Sequence, residues 1–231
     1  MLISEIFYSI QGEGELTGIP SVFIRTSGCN LRCRWCDTPY ASWNPEGEDM
    51  AIDRILDEVK KYPARHCVLT GGEPMIAKGI RELASVLRFD GYHVTIETAG
   101  TISPEGIACD LASISPKLRH SLPVAGSIEK GWIQRHDQLR IQFPVLKSWI
   151  SDYNYQLKFV YADEGDAMEI DSIIHAIGHP VTSSKILLMP EALHESTLNI
   201  RKNEVLKLCL KKGYRYCDRL HIRLFGHKRG T

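Results

Sequence analysis

Three cysteines crowd into eight positions, Cys29, Cys33 and Cys36, within the stretch "SGCNLRCRWCDTPY". Thiolates bind soft metals, and Arg32 and Arg34 inside the same loop favour thiolate over thiol. Intervals of three and two residues bring all three sulfurs to one side of a compact turn. Closed zinc sites and most iron–sulfur sites take four protein ligands, so one coordination position lacks an obvious side chain. A zinc ion would need His66, His93, Cys67 or Cys109 to complete it. A cubane of four irons would take one thiolate per iron and leave its fourth iron open to an exogenous chelate.

A second stretch, "TGGEP" at 70–74, offers what such a chelate would need. Two glycines let the backbone approach a ligand closely, and Glu73 presents a carboxylate to a charged amino group. A ligand carrying both an amino and a carboxylate group would bridge this loop and the open iron.

The elements that must position these loops alternate. Strand-like runs lie at 21–26, 67–70, 93–98, 109–115, 155–161 and 185–189, and helical spacing of apolar residues appears at 50–62, 75–89, 166–178 and 195–213. Pro144 suits the first turn of a helix reaching Asp152, Gly213 suits a C-cap, and a closing strand is expected near "YRYC" or "HIRLF". Strand–helix alternation argues for a parallel sheet covered by helices. About six units are too few for a full eightfold barrel and suit an open, incomplete barrel or a doubly wound sheet. The cysteine loop, "TGGEP", "ETAGT", "SPK" and "MPEA" each follow a strand, on the rim where such sheets bind ligands. No linker divides residues 1–231, which predicts one domain, and 118–142 reads as a loop insertion.

Composition narrows the function. Lys+Arg and Asp+Glu are both 28, which argues against a nucleic-acid binder or a membrane-surface protein. No apolar run approaches the roughly 18 residues that span a bilayer, and the N-terminus lacks signal-peptide features, so a cytoplasmic location is expected. The remaining cysteines, Cys67, Cys109, Cys209 and Cys217, read as small buried apolar residues.

The Cys-x3-Cys-x2-Cys spacing together with "GGEP" resembles the radical S-adenosylmethionine enzymes. The resemblance implies a [4Fe–4S] cluster on Cys29, Cys33 and Cys36, with S-adenosylmethionine on the open iron. "QGEG" at 11–14, Arg25, "CDT" at 36–38, "TGGEP", "SPK" at 115–117, "LKFV", "LMPEA" and "RLH" at 219–221 narrow it to the 7-carboxy-7-deazaguanine synthases, with matches over nearly the whole chain. That family implies a partial TIM-like barrel of about six β/α units. It implies a radical ring contraction of 6-carboxy-5,6,7,8-tetrahydropterin with loss of ammonia, assisted by Mg2+. Ile10, Gln11, Gly12, Arg25, Thr70 and His221 would contact substrate, with the chain terminus at Thr231 a further candidate. Trp35, Cys36, Asp37, Gly72, Glu73, Ser115, Pro116 and Lys117 would contact the nucleotide, and Thr38 would offer an oxygen to Mg2+. No protein side chain is assigned the role of radical. A homodimer and an electron donor such as flavodoxin or ferredoxin are expected partners.

Ala99 in "ETAGT" stands where many relatives carry an amide, so no side-chain contact to the nucleotide is expected there, and the 118–142 insertion, without a clear family counterpart, is a candidate to cover the active site, mediate a dimer or bind a reductase. The nearest rival reading is an activase of glycyl-radical enzymes, and a more distant one a non-enzymatic zinc or iron–sulfur module.

Overall fold

The computed structural model describes residues 1–129 and 131–231. It begins with an antiparallel pair, β1 (Leu2–Ile10) and β2 (Pro20–Thr26), in register from Ile3 opposite Thr26 to Ile10 opposite Pro20. The sequence reading has no strand at β1. Its run mixes Ser4, Glu5 and Ser9 with apolar residues, and only Ile3 and Phe7 are fully buried, as befits a strand near a sheet edge.

The short α1 (Pro39–Ser42), β3 (Glu48–Asp49) and α2 (Ile52–Val59) lead into the alternating region: β4 (His66–Gly71), α3 (Ile80–Phe89), β5 (His93–Thr98) and β6 (Leu111–Ile114). Then come α4 (Trp132–Leu139), α5 (Phe143–Asp152), β7 (Tyr155–Tyr161), α6 (Glu164–Ala176), β8 (Ile186–Pro190), α7 (Glu195–Lys212), β9 (Arg215–Tyr216) and α8 (Leu220–Phe225). The nine strands form one sheet in the order β3-β1-β2-β4-β5-β6-β7-β8-β9. From β2 to β9 every pairing is parallel. The sheet ends at β3 and β9, so it is an open, partial barrel.

Strands covered on both faces read as continuous apolar runs. Val22 and Ile24, Cys67 and Leu69, Val94 and Ile96, and Leu157 and Phe159 are out of water and meet the apolar faces of α2, α3 and α5 in one connected core running from Ile3 to Cys209.

Two features differ from the sequence reading, and one choice that it left open is decided. The helix expected over 75–89 starts at Ile80, because Pro74–Ile76 makes a 3-10 turn and Gly79, at φ +89°, breaks the run. "HIRLF" lies in α8, and the closing strand is β9. The insertion at 118–142 contains α4, whose buried face is carried by a histidine, so no apolar periodicity betrays it; position 130 lies outside the described residues.

Candidate active site

The carboxyl ends of the parallel strands open on a cavity of about 440 Å3. β1 ends at its wall, so Ile10, Gln11 and Gly12 line it, followed by Arg25 from β2 and Thr70 from β4. The cysteine loop contributes Cys29, Cys33, Trp35, Cys36, Asp37 and Thr38. Gly72, Ser115, Lys117, His221 and Thr231 complete the predicted set that shares this space. Two predicted residues do not line it. Pro116 lies outside the wall, and Glu73 lies under the floor with 1 % of its surface exposed.

Glu73 is held by its own loop and by the end of β5. Its Oε1 accepts from the Thr98 hydroxyl at 2.7 Å and Met75 N at 3.1 Å, and its Oε2 accepts from Ala99 N at 2.8 Å. Burial raises its carboxyl above the usual range against those hydrogen bonds. A Cβ on Gly72 would stand 2.2 Å from Gly28 O and 2.7 Å from Ala41 O, so the "GGEP" backbone lies directly against the cysteine loop. Only glycine permits that approach.

The three cysteines face the cavity without converging on a point: among the described residues no three His, Cys, Asp or Glu side chains could hold one metal ion. Zinc bonds of about 2.3 Å would draw tetrahedral thiolates to within about 4 Å of one another. The proposed fourth zinc ligands are also misplaced. His66 and Cys67 open β4, His93 opens β5, and Cys109 precedes β6. Cys67 is four residues from Gly71 on the rim, about 13 Å along the strand. The side chains considered as a fourth zinc ligand therefore lie away from the cysteine loop, at the opposite ends of their strands. Burial pushes the Cys29 and Cys33 thiols up to about 12, so an electropositive group must arrive before they ionise. Thr38 is the N-cap residue of α1, yet its hydroxyl makes no capping bond; it stands 3.8 Å from Cys36 Sγ and faces the cavity.

Charged residues that the sequence reading did not assign fill the opposite wall. Glu97 Oε1 accepts from Gln11 Nε2 at 3.1 Å, and its Oε2 accepts from the Thr70 hydroxyl at 2.9 Å. Glu13 accepts from Lys158 Nζ at 2.5 Å and from Arg219 Nε at 2.9 Å, while Arg219 Nη2 donates to Asp37 at 2.5 Å. Arg25 donates through Nε to Glu5 at 2.7 Å, and Tyr40 donates to the same oxygen at 2.8 Å. His221 Nε2 lies 3.9 Å from Glu13. A Cβ on Gly12 would meet the His221 ring at 2.1 Å, so the second glycine-dependent approach seats this histidine. Of the scattered cysteines, Cys67, Cys209 and Cys217 are buried and Cys109 is half-buried, and Cys217 Sγ accepts from Gly14 N at 3.1 Å.

A model of the radical SAM superfamily matches residues 23–121, the span from β2 to the end of the "SPK" loop. The 7-carboxy-7-deazaguanine synthase of Rhodopirellula baltica is 47% identical, over 100% of this chain and 89% of its own. The enzyme of the same name from Halobacterium salinarum is also 47% identical, over 96% of this chain and 90% of its own. This chain belongs to the 7-carboxy-7-deazaguanine synthase family.

The fold agrees. The crystal structure of QueE from Escherichia coli superposes with a TM-score of 0.70 at 23% identity, covering 95% of this chain and 94% of that one. Membership of a 7-carboxy-7-deazaguanine synthase family within the radical SAM superfamily implies a [4Fe–4S] cluster and S-adenosylmethionine. The cysteine loop and the rim residues Gly72, Ser115 and Lys117 line the same cavity. Lys158 and Arg219 fall inside stretches that carry the family resemblance and Glu97 opens "ETAGT", but a lone charge has no spacing that marks it.

Proposed function

We propose that the protein is a 7-carboxy-7-deazaguanine synthase that contracts the ring of 6-carboxy-5,6,7,8-tetrahydropterin and releases ammonia. One observation carries this reading: the cysteine loop and a set of polar groups, Gln11, Arg25, Thr70 and Glu97, line one cavity. A small, anionic, hydrogen-bonding substrate suits that set better than a protein backbone does, which disfavours the glycyl-radical activase.

When bound, the cluster and S-adenosylmethionine supply the radical that removes a substrate hydrogen. The chain binds and orients. Glu97 presents a carboxylate to the amino-pyrimidinone edge of a pterin, whose amino and ring N–H groups are paired donors. Gln11 and Thr70 hold that carboxylate in place. Arg25, fixed through Nε by Glu5, keeps its terminal nitrogens for the substrate carboxylate. His221 closes the wall beside Gly12, with Thr231 near it. Trp35, Asp37, Gly72, Ser115 and Lys117 contact the nucleotide. Glu73 shapes its seat from below through the Thr98 hydroxyl and the Ala99 amide rather than by touching it. Pro116 fixes the loop between Ser115 and Lys117, whose Nζ donates to the serine hydroxyl at 2.8 Å.

Thr38 offers Mg2+ an oxygen that no helix cap consumes. The reading takes residues 1–231 as one domain, with a low-potential donor such as flavodoxin or ferredoxin, a homodimeric state and a cytoplasmic location. No helix among the described residues is long and apolar enough to cross a membrane. Anaerobic incubation of reconstituted protein with the carboxypterin, S-adenosylmethionine and a reductant tests the reading. The deazaguanine acid and one equivalent of ammonia are expected, and the absence of both products with an intact cluster refutes it.

A further inference from the structure

The 118–142 insertion packs against the cysteine loop. Arg32 N donates to His136 Nδ1 at 3.0 Å, and Arg34 N donates to Ser121 O at 3.0 Å. His136 is entirely out of water, and its Nε2 lies 3.0 Å from the Ser121 hydroxyl. That hydroxyl donates its own proton to Leu118 O at 2.6 Å, so its oxygen must accept from His136 Nε2–H. Nδ1 accepts and Nε2 donates, which leaves one neutral tautomer. Burial pushes this imidazole down to about 4, in line with that geometry.

Other contacts run the same way. The Arg32 guanidinium lies 4.0 Å from the Trp132 ring centroid, and its Nη1 donates to Cys29 O and Leu31 O, each at 2.8 Å. Leu139 packs in the apolar cluster of Leu31, Cys33 and Ala99. The insertion therefore holds the loop through both backbone amides that flank Cys33, through a stacked guanidinium and through an apolar contact.

We propose that His136 is a positioning residue, and that the insertion, through His136 and Ser121, braces the loop between Cys29 and Cys36 in the form that presents its sulfurs to one cluster. This rests on the cluster assigned above. Without the imidazole, the Arg32 amide loses its acceptor, and the segment between two cluster ligands is free to turn. Groups that orient metal ligands from outside the coordination sphere commonly change metal retention about 10- to 100-fold.

The test compares the parent with His136→Leu, which fills space without an acceptor, and His136→Asn, whose Oδ1 accepts near the Nδ1 position. Each is reconstituted without air and held well below its own melting temperature. Iron and sulfide per chain, the rate of iron release to a chelator, and the electron paramagnetic resonance line shape of the reduced cluster are recorded. His136→Leu is expected to release iron about tenfold faster with an altered line shape, and His136→Asn to stay near the parent. Should His136→Leu fail to fold, Ser121→Ala, which removes the acceptor for Nε2–H, is expected to speed release in the same direction. Equal release rates and line shapes in the parent and whichever variant folds overturn the brace. So does equally fast release from the Leu and Asn variants, which makes the contact one of packing alone. A parent that takes up no iron and sulfide overturns the cluster, and the brace with it.

Discussion

Lys158 Nζ stands 2.5 Å from Glu13 Oε2, although the two residues are 145 positions apart in the chain. Burial alone raises the Glu13 carboxyl, and Lys158, Arg219 and His221 more than reverse it, leaving the group well below the usual carboxylate range. Lys158 shifts upward because Glu13 and Glu97 outweigh its burial. The pair joins the loop after β1 to β7, and Arg219 extends it to Asp37 in the cysteine loop.

Glu13→Gln leaves Lys158 buried beside a neutral amide. Removing one partner of such a pair costs about 3–5 kcal/mol. Urea unfolding of the metal-free chain is expected to show that loss. Glu13→Gln combined with Lys158→Met should cost less than the two single changes added together. Strict additivity contradicts the coupling.

Glu97→Gln keeps the shape of the wall and replaces one acceptor oxygen with an amide donor. A charged hydrogen bond is worth about 1.5–3 kcal/mol, so kcat/KM for the carboxypterin should fall roughly 10- to 100-fold. Cluster absorbance and S-adenosylmethionine affinity should not change. An unaltered kcat/KM would remove Glu97 from the substrate wall.

Thr38→Ala deletes a hydroxyl that makes no helix cap and stands 3.8 Å from Cys36 Sγ. The Mg2+ concentration for half-maximal activity should rise by about tenfold or more, with iron content unchanged. Loss of iron instead of a shifted Mg2+ response would make Thr38 a support for the cysteine loop.

His66 and His136 are both pushed by burial from an ordinary value of 6.5 to about 4, and His221 shifts in the same direction. Below pH 6.5 the unfolded chain therefore binds protons that the folded chain refuses. Stability present above pH 6.5 drains away as pH falls toward 4, by at most about 3 kcal/mol for each fully shifted histidine. Glu13 acts in the same sense, but only below its unfolded value of 4.5. Denaturation of the metal-free chain between pH 6.5 and 4.5 thus reads the histidines, and a flat profile there contradicts their burial as neutral rings.

The sequence exposes the cysteine loop because soft donors at short intervals are rare, and it exposes β4 to β8 because strands covered on both faces must be apolar throughout. Gly72 is legible as a place of close approach, though its neighbours Gly28 and Ala41 are not. What stays hidden is non-local. Glu13 acquires meaning only beside Lys158 and Arg219, and Glu97 only beside Gln11 and Thr70. His136 reads as an ordinary histidine until the fold sets its ring on Arg32 N. β1 is masked by its polar half, and α4 by a buried face made of a histidine.

The bond from Arg32 N to His136 closes across 104 positions. During synthesis, the loop that will receive iron leaves the ribosome long before the segment that shapes it. Iron delivered in that interval would meet three pliant thiols, free to be oxidised or to seize a stray ion. The cysteine loop thus takes its final shape only when residues far downstream have folded onto it, so the proposed receptacle is a product of tertiary structure rather than of the local motif.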